Sequence, residues 1–94
     1  MIVTLSELKA HLRIEHDAED TLLTSLLAQA EAAATDFCRA DFTTDAPEPV
    51  RLAVLLMASH FYEHRDSSDK NAYATMMNAF RALLYPHRVI EDMF

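Results

Sequence analysis

The sequence predicts an all-α fold: a small bundle of about four helices around a central apolar helix, with a C-terminal extension. Three observations predict it. Apolar residues recur at helical spacing in four separate stretches, and no stretch alternates convincingly at the two-residue period of a strand. Polar, turn-forming segments separate those stretches. One stretch, residues 50–65, is apolar on almost every side through its middle, which puts it inside the others.

The first helix spans residues 5–12. Thr4 stands as its N-cap, and Glu7 follows three residues later, as a capping box requires. Leu5, Leu8 and Leu12 share one face, and a helix this short holds only by docking it. Residues 13–18 connect. Asp17 is the expected cap of the second helix, residues 18–39, with Glu19 and Asp20 favouring its positive end. Its core stripe is Leu22, Leu23, Leu26, Leu27, Ala30, Ala33, Ala34 and Phe37. Thr24, Ser25, Glu31, Thr35 and Asp36 face outward.

Residues 40–47 form a loop with an exposed Phe42. Pro49 then lies in the first turn of the central helix, where its missing N–H costs nothing. Val50, Ala53, Val54, Met57 and Phe61 make one stripe of that helix; Leu52, Leu55, Leu56 and Ser59 make a second. The second helix covers the first stripe. The second stripe needs the first helix, the fourth helix or a neighbouring subunit. Residues 66–70 are another polar loop, in which Ser68 or Asp69 caps a fourth helix over residues 71–84. Tyr73, Met76, Met77, Phe80, Leu83 and Leu84 form its apolar side, and Pro86 stops it. The tail, residues 87–94, is apolar for a free end, and residues 88–90 alone have an edge-strand character.

A chain of 94 residues builds one domain with one modest core. Its 51% hydrophobic content argues against disorder. Eight Lys and Arg stand against 15 Asp and Glu, for a net charge of −7, which argues against unassisted nucleic-acid binding. The charge is uneven: residues 1–47 carry nine acids and three bases, residues 48–94 six and five. Cys38 is alone, so no internal disulfide forms and a reducing compartment is expected. The opening residues lack the basic start and long apolar run of a targeting segment. No stretch reaches the roughly 20 apolar residues of a membrane span. The chain has no Gly, which excludes glycine-rich phosphate-binding loops and leaves helix ends to Asn, Asp or water.

Little in the chain carries catalytic chemistry. His60 and His64 lie four apart on one helical face, a spacing that can share a metal. Phe61 stands where a zincin needs Glu, and no third ligand is evident, so the structural reading is preferred. Cys38 reads as a small buried thiol. The carboxylate pairs sit at caps or in loops. The first two helices lack the basic face of a DNA-reading helix pair. No enzyme and no cofactor is expected.

The motifs, taken in order, resemble a known family. The chain opens Val3-Thr4-Leu5-Ser6-Glu7-Leu8-Lys9-Ala10-His11-Leu12-Arg13-Ile14, then has Asp20-Thr21-Leu22-Leu23 after an acidic turn. Pro47-Glu48-Pro49-Val50-Arg51-Leu52-Ala53-Val54-Leu55-Leu56 follows, then Tyr62-Glu63-His64-Arg65 and Ala82-Leu83-Leu84-Tyr85-Pro86-His87-Arg88-Val89. Together these resemble the head–tail connector (adaptor) proteins of long-tailed bacteriophages, also called DNA-packaging connector proteins. Cys38-Arg39 and Pro86-His87-Arg88 depart from the Gly-Arg and Pro-Tyr-Arg common in that family. The resemblance implies a structural protein of a phage or prophage, found at the head–tail junction of the virion and in the host cytoplasm during assembly. It implies a cyclic homo-oligomer matching the twelvefold portal, with portal protein and a tail or stopper protein as partners. It implies, too, that the ring sits below the portal and extends the DNA channel after packaging, with DNA passing through without specific binding and no membrane involved.

Such a ring needs two different sticky faces on each subunit. Arg51, Arg65, Arg81 and Arg88 are the candidate ion-pair partners for a neighbour's acidic first half. As merely solvated arginines each pair is worth under about 1 kcal/mol. Residues 85–94, with Tyr85, His87, Val89, Ile90 and Phe94, are the candidate docking tail; the plainer reading is a strap over the subunit's own core. The alternative function is a small acidic adaptor or regulatory domain that binds a partner helix in a groove beside the central helix.

Overall fold

The computed structural model describes residues 1–64 and 70–89. Four α-helices follow one another: α1 Leu5–Leu12, α2 Asp20–Cys38, α3 Glu48–Glu63 and α4 Lys70–Leu84, with a short 3-10 turn at Tyr85–His87. No strand occurs among the described residues. The all-helical prediction therefore holds, C-terminal extension included.

α3 is the central helix. It packs most extensively on α4 and α2 and also meets α1. Val50, Ala53, Val54 and Met57 of its first stripe are buried, and Phe61 is half-buried. Leu23, Leu26, Leu27, Ala30 and Ala34 bring the small and apolar face of α2 into the same core, and Met76, Phe80 and Leu84 bring α4. Leu8 of α1 is buried in this core, with the half-buried Leu5 and Leu12 packed against the core. The second stripe of α3 is graded: Leu52 is 46% exposed, Leu55 and Leu56 are half-buried, and Ser59 is buried.

Thr4 caps α1 as expected, its hydroxyl accepting the Glu7 N–H while the Glu7 carboxylate accepts the Thr4 N–H. Other expectations fail for reasons that lie far away in sequence. Asp17 does not cap α2. The helix begins at Asp20 after Glu19, with no side-chain cap, and Asp17 instead accepts a 2.7 Å hydrogen bond from Lys9 of α1. Glu31 does not simply face solvent. Its carboxylate accepts the N–H groups of Ile2 at 2.6 Å and Val3 at 3.1 Å, which seats those two buried residues against α2. Thr35 is half-buried, as is Phe42, which packs on the core, whereas Tyr73 is exposed on α4. The described helix C-termini use neither Asn nor Asp. Arg13 and Arg39 adopt the left-handed conformation, with φ of 61° and 57°. At Arg13 the turn is a Schellman motif: its N–H bonds to Ala10 O and the Ile14 N–H to Lys9 O.

α3 ends at Glu63, with His64 as its cap residue. Lys70, expected in the preceding loop, already belongs to α4. The expected caps Ser68 and Asp69, and Arg65, lie outside the described residues, as do Ile90 and Phe94. No described helix is long and apolar enough to cross a membrane.

Candidate docking surfaces

Contacts between the ends of the described helices give the bundle two poles. One pole gathers the end of α2, the start of α3 and the end of α4. There the buried Cys38 thiol donates to the Leu84 carbonyl at 3.7 Å, joining the last turns of α2 and α4. Burial pushes this thiol above its ordinary 9.0, against a smaller opposing pull from Arg88. Pro86 breaks α4 and turns the chain across this pole. Arg88 lies in extended conformation with its guanidinium carbon 5.2 Å from the centre of the Phe37 ring.

The candidate interface residues separate here. Arg81, Tyr85 and Val89 are exposed, Tyr85 by 59% and Val89 by 44%, while His87 and Arg88 are half-buried. Arg51 lies near this pole but is held inside its own chain. Its guanidinium donates to Ile2 O at 2.8 Å, to Thr44 O at 3.2 Å and to the Glu7 carboxylate, with Glu48 at 3.7 Å. It ties the N-terminal segment, the loop after α2 and α1 to the start of α3. Glu7 is held below its ordinary 4.5, first by the Thr4 N–H, against some desolvation, and also by Arg51.

The other pole gathers the end of α1, the start of α2, the end of α3 and the start of α4. Tyr62 of α3 donates its hydroxyl to the Glu19 carboxylate there. Lys9 donates 2.7 Å hydrogen bonds to both Asp17 and Asp20, which raise its ionisation above the ordinary value and hold Asp17 below its own. Part of the acidity of the first half is thus neutralised locally.

A groove of about 640 Å³ opens at this second pole. Its floor is the second stripe of α3, continued from Leu56 through Ser59 and His60 to Glu63 and His64. One wall is the end of α1, at Leu12 and Arg13; the other is α4, at Asn71, Thr75 and Met76. The buried Ser59 hydroxyl has no hydrogen-bond partner among the described residues. His60 stacks on His64 with ring centres 4.6 Å apart and meets Phe61 edge-on. No group of three or more His, Cys, Asp or Glu positioned for a metal occurs among the described residues.

The alternative reading of the sequence put a groove beside the central helix; that α1 and α4 wall it was not legible, because the three helices are separated in sequence. The groove's one readable trace was the surplus apolar stripe of α3. The family model described as "Phage gp6-like head-tail connector protein" matches residues 2–88 of the chain. No curated protein and no solved structure matches it.

Proposed function

We propose, because the chain belongs to the phage gp6-like head–tail connector family, that it joins head to tail as a ring of copies seated below the portal. Proteins of this family are structural, and joining the phage head to the tail is their role. The observation that carries the reading is the extent of the match, which takes in all four helices.

A ring contact is heterologous, so each subunit needs two unlike faces. The exposed Leu52 on α3 and the pole bearing Tyr85 and Val89 supply apolar surface of that kind. Arg81 and Arg88 are the arginines that would meet a neighbour's acidic first half. Arg51 belongs to the same proposal, although its guanidinium already donates to Ile2 O, Thr44 O and the Glu7 carboxylate of its own subunit. Arg65, His87, Ile90 and Phe94 belong to the same proposal. A net charge of −7 repels DNA, so a channel built of these subunits lets DNA slide through without capture. Portal protein on one side and a tail or stopper protein on the other complete the assembly at the head–tail junction of the virion.

Multi-angle light scattering across a wide concentration range, with and without the cognate portal, tests this. A ring-sized species, or a stable complex with portal, is the expected result. A monomer throughout that also ignores portal overturns it. The groove beside α3 favours a second reading, an adaptor domain that accepts a partner's helix. That reading predicts a one-to-one complex with its partner and no ring.

A further inference from the structure

The groove at the α1–α3–α4 pole has an occupant within this chain's own sequence, in a second copy. We infer that residues 90–94 of one subunit dock in the groove of the next, an inference that rests on the ring reading for the presence of that second copy.

The first argument is chemical. The segment is Ile90-Glu91-Asp92-Met93-Phe94: two carboxylates flanked by three apolar side chains. The groove offers the same chemistry in complement. Leu12, Leu56 and Met76 are its apolar lining, while Arg13 and the imidazoles of His60 and His64 face them, against the single carboxylate of Glu63. An acidic, apolar stretch of chain therefore finds the Arg13 guanidinium, two imidazoles that can donate hydrogen bonds and apolar contacts together, which is what gives an interface both register and affinity. The buried Ser59 hydroxyl in the floor is a polar atom that the described residues leave unsatisfied.

The second argument is geometric. The chain reaches Val89 at the far pole, where the Val89 N–H bonds to Cys38 O, at the last residue of α2. The groove lies at the other end of α2, whose start is marked by the Tyr62–Glu19 contact. A helix of 19 residues is roughly 28 Å long. Five residues span at most about 18 Å even when fully extended. The tail thus falls short of Arg13 and His64, the charged far end of the groove, in its own subunit, while Leu56 and Met76 at the near end are within its span; a tail that meets Arg13 must lie in a neighbour's groove. Tail at one pole and groove at the other make a heterologous contact, the type that closes into a ring.

Charge reversal in the full-length chain tests the pairing. Glu91→Lys reverses the tail, and Thr75→Glu, at an exposed position of the α4 wall, reverses the groove. Circular dichroism checks that both variants keep their helices. Each change alone is expected to weaken self-association by about tenfold, and the two together to regain most of it. As an independent probe, a synthetic peptide of residues 88–94 is titrated into the isotopically labelled full-length protein. Amide shifts at Ser59, His60 and Thr75 are the expected response. A wild-type ring that is indifferent to both reversals, with no peptide-induced shift, overturns the docking and leaves the ring intact. A protein that never self-associates and ignores portal overturns the ring; peptide shifts at the groove would then still uphold the docking, and their absence would end it. Groove shifts caused by Glu91→Lys in a sample dilute enough to be monomeric would show the tail in its own groove and overturn docking between copies.

Discussion

Val89 donates its backbone N–H to the carbonyl oxygen of Cys38 at 2.7 Å. That carbonyl ends α2 and has no partner within the helix, so the bond satisfies an orphan acceptor while fixing where the chain leaves the bundle. Val89→Pro removes the donor, and the extended conformation of Arg88 is the one a residue before proline adopts. Val89→Pro is expected to lower stability by about 1 kcal/mol. For a domain of this size that is a melting temperature some 4–8 °C lower in calorimetry. Val89→Ala, which keeps the N–H, should melt close to wild type.

Arg51 bonds to three separate segments through one planar group. A lysine carries the charge but not the fork. Arg51→Lys is therefore expected to cost about 2 kcal/mol, read from the urea midpoint at unchanged slope. An Arg81→Lys control on the exposed face of α4 should shift the midpoint by less than a quarter of that. Equal midpoints for the two variants would mean that the Arg51 bonds contribute nothing net.

Ser59 has the opposite sign. Its buried hydroxyl has no partner among the described residues, and a hydroxyl so placed is a desolvation cost to the folded chain. Ser59→Ala removes it with little loss of volume and with better helix propensity. A gain of about 1 kcal/mol in thermal unfolding is expected. A loss of similar size would show that the hydroxyl is satisfied after all.

Acid should act partly through Glu7. Its folded carboxyl titrates below the ordinary 4.5, because the Thr4 N–H and the Arg51 guanidinium favour the charged form. A carboxyl depressed on folding contributes its stability fully above its unfolded value and loses it as pH falls through the folded one. Wild type and Glu7→Gln should therefore differ in stability at neutral pH, with wild type ahead, and converge below about pH 4.5. Denaturant melts at a series of pH values measure the gap directly. A gap that widens in acid would contradict the assignment.

Leu52 connects stability with assembly. It is 46% exposed on the central helix, so Leu52→Glu should leave the fold's melting temperature within a few degrees of wild type. If it lies in the ring contact, the same change should weaken self-association by at least tenfold in sedimentation analysis. A variant that assembles like wild type would remove Leu52 from the interface.

What could be read from the sequence was local or periodic. Thr4 and Glu7 cap each other across three residues, so their pairing is written in adjacent letters. The first stripe of α3 repeats at helical spacing, and its residues from Val50 to Met57 are buried. What escaped depends on partners distant in sequence. Asp17 satisfies every local rule for an N-cap, yet Lys9 on the preceding helix claims its carboxylate. Glu31 lies on the expected outer side of α2 until the N-terminal segment folds over it. Arg51 and Glu7 are 44 residues apart, and nothing in either neighbourhood announces the pair. The groove was expected beside the central helix, but its walls come from α1 and α4, which no pattern within α3 announces. Of the proposed interface, Pro86 marked where α4 ends, whereas neither the exposure of Tyr85 and Val89 nor the bonds of Arg51 within its own subunit followed from anything near them.

The left-handed arginines change how the unfolded chain should be viewed. Arg13 and Arg39 each hold a conformation that a side chain disfavours and a glycine accepts freely. A sequence with no glycine at all, however, has a stiffer denatured ensemble than most, because every residue restricts its own backbone. Folding then gives up less conformational freedom, and that saving offsets the local strain at the two helix ends. Replacing either arginine by glycine would relax the native turn and loosen the denatured chain at the same time. The stability of this small bundle is thus set in part by conformations it never shows when folded.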